Sequence, residues 1–210
     1  MKKNIIIFGA TGGTGQQLVK QALERNFNVS AFVRNPNKLD IKNERLKVIG
    51  GNVLEYNDVV SAIKIQDVVF CCIGMPSSDK SGLRAKGTTQ IVKAMEESGI
   101  KRLVCQSSLG FGDSKKMLPW HMKHIIVPLI LKNAFADHDN QEKIIEKSNL
   151  DWTIVRPGNL TNGIRTGEYK HGFDHTEKIK LKVSRADVAD FMLNQVDNQK
   201  YLHKKAGISY

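Results

Sequence analysis

Short, continuous apolar runs alternate along this chain with stretches whose apolar residues recur every three or four positions. Ile5-Ile6-Ile7-Phe8 opens the pattern. The run is too short for a helix and rich in β-branched side chains, which predicts a strand buried on both faces. Leu18, Val19, Ala22 and Leu23 then form one apolar face at helical spacing. Further strands are predicted over 29–33, 46–50, 67–73, 102–106 and 151–155. Helices between them are marked by Val59 and Ile63, by Ile91, Val92, Ala94 and Met95, and by Ile144 and Ile145 within 137–148. Ser184-Arg185-Ala186-Asp187 reads as a capping box, with Asp in place of Glu, opening a helix through Val188, Phe191 and Met192. Ala206 to Tyr210 reads as a last edge strand. Alternation of strand and helix throughout predicts an α/β fold built on a doubly wound parallel sheet.

Two stretches depart from this rhythm. Residues 111–136 hold Trp120, His121, Met122, His124, an apolar run and Phe135. They predict helices interrupted at Pro128, whose ring removes a donor and crowds the preceding turn. A substrate lid, a dimer face and a membrane-surface helix are the three readings of this stretch. Residues 161–182 are polar, contain glycine and show little periodicity, as a substrate-side rim would. The expected organisation is one domain over 1–210, with 111–136 and 161–182 forming a small lid on its substrate side.

The first strand ends abruptly at Gly9, and Gly9, Gly12 and Gly15 follow at spacing three. This is G-x-x-G-x-x-G, not the commoner G-x-G-x-x-G. Its place between a strand and a helix is what gives it chemistry. Such a turn lets the backbone approach a pyrophosphate and aims a helix N-terminus at its charge. Gly9, Thr11, Gly12, Gly13, Thr14 and Gly15 are therefore candidate dinucleotide contacts.

Other candidates stand at the carboxyl ends of the predicted strands, where ligands bind in open α/β sheets. Arg34 ends the second strand, where an enzyme choosing NAD places Asp or Glu. An arginine there suits a 2′-phosphate, and Lys38 lies within reach of the same group, so the expected cofactor is NADP. Asn52-Val53 follows the third strand, beside an adenine edge. Ile73-Gly74 ends the fourth and Pro157-Gly158-Asn159 leaves the sixth, along the cofactor path. Ser107, just past the fifth, is placed to touch a substrate or the nicotinamide, the alternative being a bond to local backbone.

Composition narrows the partners. The chain has 210 residues and a formal net charge of +11. Its lysines are dispersed and no nucleic-acid-binding motif is visible, so the charge is expected to attract a polyanionic cofactor. Cys71, Cys72 and Cys105 lie in apolar segments with no metal-ligand spacing, as reduced core residues of a cytoplasmic protein. Met1-Lys2-Lys3 leads directly into a strand, and no apolar run is long enough to cross a bilayer. The expected partners are a small-molecule acceptor, with neither nucleic acid nor membrane, in a monomer or homodimer with no metal.

Gly9-Ala10-Thr11-Gly12-Gly13-Thr14-Gly15, Arg34-Asn35-Pro36, Asn52-Val53, Asp151 to Pro157 and Ser184 to Ala189 together resemble the atypical short-chain dehydrogenases. The resemblance is nearest to the biliverdin reductase B/flavin reductase group and runs the whole chain. It implies a Rossmann fold, NADPH, and hydride transfer to flavin-, quinone- or tetrapyrrole-like acceptors. It also implies a nicotinamide-side serine at Ser107. Typical members carry Tyr-x-x-x-Lys after the fifth strand, and here Ala134 and His138 take those positions. Tyr201-x-x-x-Lys205 has the right letters in the wrong place. Asn159 stands where the biliverdin reductase group has a histidine. His138 is the remaining candidate for substrate contact. Without the tyrosine, a conjugated acceptor is expected in preference to a carbonyl. A non-catalytic NADP sensor, like the nitrogen-metabolite-repression regulators, is the alternative.

Overall fold

A computed structural model describes residues 2–210. Its centre is an eight-stranded sheet in the order β3-β2-β1-β4-β5-β6-β10-β8. In chain order β1 is Asn4–Phe8, β2 Asn28–Val33, β3 Leu46–Gly50, β4 Val68–Cys71, β5 Arg102–Gln106 and β6 Asp151–Pro157. After these come β7 (Asn159–Thr161), β8 (Lys170–His171), β9 (Lys182–Ser184) and β10 (Lys204–Ser209). All pairings in the main sheet are parallel except that of β8 with β10. β7 and β9 form a separate two-stranded parallel sheet.

The strand pleat divides the core in two. Ile5 and Ile7 face helices α1 (Gly13–Glu24) and α5 (Arg185–Asn194), packing with Leu18, Val19, Val188 and Phe191. Ile6 and Phe8 face the other way, with Val59, Ile91, Met95 and Ile145. Those residues come from α2 (Tyr56–Ile63), α3 (Leu83–Ser98) and α4 (Lys132–Glu146). A strand sandwiched between helix layers must be apolar at every position, and Ile5 to Phe8 are all fully buried. The predicted Rossmann-type architecture is observed. The chain leaves β1 for β2 and β3 in one direction and for β4, β5 and β6 in the other. The crevice at that reversal, beyond the strands' carboxyl ends, is where such sheets bind ligands.

Three expectations change. Pro128 does not interrupt the helix. Met122–Leu131 forms π-helical turns that run directly into α4. Wider turns absorb the missing donor without breaking the rod. The last strand is not an edge, because Lys170-His171 pairs along its outer side. Two polar residues leave no periodic signal. Only half of the capping box forms. Ser184 Oγ accepts from the Asp187 N–H at 2.9 Å, whereas the Ser184 N–H donates to Tyr210 Oη at 3.1 Å. Asp187 instead accepts from the N–H groups of Thr166 and Gly167 and from Tyr210 Oη. It thereby ties the 161–182 segment and the C-terminus to α5.

The three cysteines are buried and free, with Cys71 and Cys105 paired in register across β4 and β5. Among the described residues no helix is long and apolar enough to cross a membrane.

Candidate functional site

The glycine turn is built by three different constraints. Gly9 has φ +83°, and a Cβ on it would lie 2.3 Å from the Cys72 carbonyl oxygen. Only glycine fits there. At Gly15 a Cβ would lie 2.2 Å from the Gly9 carbonyl oxygen, so α1 packs on the turn without a side chain between them. Gly12 differs. It is exposed, and its Cβ would meet only the Gly9 oxygen, at 3.3 Å. The protein itself leaves almost enough room there for a side chain. Gly12 also caps α1 in an extended conformation (φ −72°, ψ 160°) and offers no side chain to the first-turn N–H groups. Those donors have no side-chain cap.

The turn borders a hollow of about 280 Å³ lined by Gly12, Gly13, Thr14, Ile73, Gly74, Ser107, His138, Pro157 and Gly158, among others. Nine predicted residues from five segments thus meet in one place. Two polar atoms of residues on its wall, Arg84 Nε and Gln106 Oε1, are buried without a partner among the described residues. Open space adjoins Gly74, with no atom within 4 Å of a Cβ placed there. An extended polar ligand crossing from the turn toward β5 fits this wall, and the phosphates of a dinucleotide fit the uncapped N–H groups.

The remaining predicted residues lie outside this hollow. Arg34 and Lys38 are exposed beyond the carboxyl end of β2. The Asn52 side chain accepts from the Leu54 N–H at 3.1 Å, and Val53 is buried. Parallel register places both groups at the same end of the sheet as the turn. Asn159 is exposed, on the wall of a second hollow.

That second hollow is about 770 Å³ and largely apolar, with Met122, Ile126, Leu131, Ala134 and Phe135 on one side and Leu160 and Leu181 on another. His138, Ser108, Met75, Gly158, Arg84 and Arg185 line both hollows, which are therefore contiguous. The 111–136 segment supplies much of the second wall, while 161–182 contributes Leu181.

His138 stands where the two hollows meet, with Ser107 beside it on the wall of the first. Ser107 is buried, and its N–H donates to the Val155 carbonyl at 2.7 Å. Its Oγ lies 3.4 Å from His138 Nδ1. Ser108 makes the local bond that was the alternative for Ser107, donating from Oγ to the Leu109 carbonyl at 3.3 Å. The imidazole stacks on Phe111, with centroids 6.1 Å apart and planes 16° from parallel. Burial, aided by the nearby Arg84 charge, pushes the His138 pKa down to about 4. At neutral pH the ring is uncharged.

Buried ion pairs on either side hold His138 in place. Asp137 accepts from the N–H groups of Arg84 and Ala85 at 3.1 and 3.0 Å, capping α3, and pairs with the Arg84 guanidinium at 3.3 Å. Glu142, one turn further along α4, takes Arg156 of β6 in a two-point bond at 2.9 and 2.5 Å. Arg156 also reaches Asp113 at 2.6 Å and lies over the Phe111 ring. α4 is thus fastened to α3 and to the sheet, which fixes the imidazole over Ser107.

Two residues with no assigned role in the sequence are prominent here. The Arg185 side chain lies across Gly13, its Cδ 2.6 Å from where a Cβ would be, and donates to Asn162 Oδ1 at 2.6 Å. Its position just after the Ser184 cap was the available signal, since one helix start brings it to another. Arg84 had none, because its role depends on α4 meeting α3. Tyr201 and Lys205 line neither hollow. Tyr201 Oη is 2.7 Å from His171 Nδ1, and Lys205 is paired with Glu146.

A family described as NAD(P)H-binding matches residues 9–199. An uncharacterized chloroplastic protein of Arabidopsis thaliana is 30% identical over 174 residues, covering 79% of this chain. The chain spans only 62% of that relative's length. A short-chain dehydrogenase/reductase from Veillonella parvula, solved in complex with NADP, superposes with a TM-score of 0.81 at 22% identity, covering 100% of this chain and 95% of that one. ChuY, an anaerobilin reductase from Escherichia coli O157:H7, gives 0.80 at 21% identity, covering 98% and 96%.

Proposed function

The chain belongs to the NAD(P)H-binding family, and from that we propose that it is an NADPH-dependent reductase of flavin-, quinone- or tetrapyrrole-like acceptors. One observation carries the reading. The hollow beside the glycine turn shares a wall with a larger apolar hollow, with His138 lining both and Ser107, 3.4 Å from it, lining the first. The NADP held by the Veillonella neighbour and the activity of the anaerobilin reductase support the cofactor and the acceptor class.

In this reading the first-turn N–H groups of α1 and the Arg185 guanidinium bind the pyrophosphate. Arg34 and Lys38 bind the 2′-phosphate, while Asn52 and Val53 flank the adenine. Ile73, Gly74 and Pro157 to Asn159 guide the ligand toward β5. When bound, NADPH supplies a hydride to the acceptor, which takes its proton from water. Ser107 orients the reacting groups by hydrogen bonding, and the neutral His138 fixes the Ser107 hydroxyl. With its pKa pushed down to about 4, the imidazole carries no acidic imidazolium proton at pH 7. Ala134 adds none from the position where a tyrosine serves carbonyl reductases. The site is therefore suited to acceptors that spread incoming charge over a ring system. The apolar wall of the larger hollow suits the faces of such a ring.

The test is steady-state NADPH oxidation with free flavin, a quinone, a linear tetrapyrrole, simple aldehydes and ketones, and a nucleotide sugar. Turnover is expected with the first three. Rapid turnover of a ketone or sugar would refute the acceptor class.

A further inference from the structure

The helix that walls the apolar hollow is apolar on its outer side as well. Met122, Ile126 and Leu131 face the hollow. Trp120, Ile125, Leu129 and Ile130 face solvent, 70%, 47%, 77% and 55% exposed. They are half of the large exposed apolar residues among the described residues, gathered within eleven positions. A helix with apolar residues on opposite sides is ordinarily covered on both. A patch of this kind marks an interaction surface.

The charge along the same stretch of chain indicates what covers it. Between Asp113 and Asp137 the chain has no acidic residue, four lysines (Lys115, Lys116, Lys123 and Lys132) and two histidines. Lys115, Lys116 and Lys132 are exposed. A second copy would bring the same lysines, on a molecule of net charge +11, against this face. Like charges around an apolar patch oppose such pairing. An anionic bilayer is complementary in both respects. Its phosphates match the lysines, its acyl boundary takes the leucine and isoleucines, and an exposed tryptophan settles at the headgroup level.

We propose that the Trp120–Ile130 face docks on an anionic membrane surface, lying in its interface without crossing it. If the reductase reading is right, docking also brings the apolar hollow against the bilayer, so that a lipophilic acceptor enters past the Met122–Leu131 wall. Docking itself does not depend on that reading.

Vesicle binding of the full chain, without cofactor or acceptor, tests the proposal. Phosphatidylglycerol-containing vesicles should pellet the protein and shift its tryptophan emission to the blue. Phosphatidylcholine vesicles should do neither. Trp120→Phe should abolish the shift, because the other tryptophan, Trp152, is buried. Leu129→Ser with Ile130→Ser should weaken binding about tenfold, and so should Lys115→Gln with Lys116→Gln. NADPH affinity should be unchanged in both double variants, as a check on folding. Three results would overturn the proposal: no pelleting with anionic vesicles, pelleting unaffected by the apolar pair, or a dimer in sedimentation velocity that the apolar pair dissolves. Because no turnover is read, failure here is distinct from failure of the reductase activity.

Discussion

At the scale of single residues, the glycines of the turn separate fold from function. Gly9 and Gly15 are required by the protein's own backbone, as their 2.3 and 2.2 Å virtual contacts show. Gly12 has only a 3.3 Å neighbour, so the protein itself opposes a side chain there far less than at the other two. Gly12→Val should leave urea unfolding nearly unchanged while abolishing NADPH binding in a fluorescence titration. Normal NADPH affinity in that variant would remove the turn from the cofactor site. Arg34 is tested by the opposite logic, since it is exposed and touches nothing the fold needs. Loss of a charge-assisted contact to a phosphate costs about 1.5–3 kcal/mol. Arg34→Ala should therefore weaken NADPH at least about tenfold and leave NADH nearly unaffected. Equal losses for the two cofactors would contradict the 2′-phosphate assignment.

At the scale of elements, the site depends on where α4 is pinned. Asp137 does two jobs at once, capping α3 and neutralising the buried Arg84. Asp137→Ala removes a cap and strands a buried charge, for an expected loss of about 2–4 kcal/mol in urea unfolding. Asp137→Asn keeps one acceptor for the α3 N–H groups and should lose less. A loss below about 0.5 kcal/mol for the alanine variant would contradict the account. This element also shows what sequence reading reaches. Strands β1 to β6 were legible because apolar runs bounded by turns carry their own signal. His138 was legible as the residue that replaces a lysine. Arg84 was not, because a buried pair between α3 and α4 leaves no mark in either segment. The continuity through Pro128 was hidden because π-helical turns obey a different period from the one sought. The β8 strand was hidden because two polar residues pair only when β10 is beside them.

At the scale of the whole molecule, the sheet reversal between β1 and β4 gathers the predicted residues at one end. The chain order of strands was enough to place Gly12, Gly74, Ser107 and Gly158 together, and all four line the same hollow. The wall of the larger hollow was less legible, since it draws residues from 111–136, from 158–160 and from Leu181, which no single pattern brings together. The central claim is that this hollow and its apolar neighbour perform hydride transfer together. A single-turnover experiment tests it most directly. The protein, preloaded with NADPH and mixed with excess free flavin in the absence of oxygen, should lose the reduced-nicotinamide absorbance in step with flavin reduction, and Ser107→Ala should slow both only modestly. Tight NADPH binding, with the nicotinamide remaining reduced before flavin, quinone and tetrapyrrole alike, would contradict the account and identify a sensor of NADP.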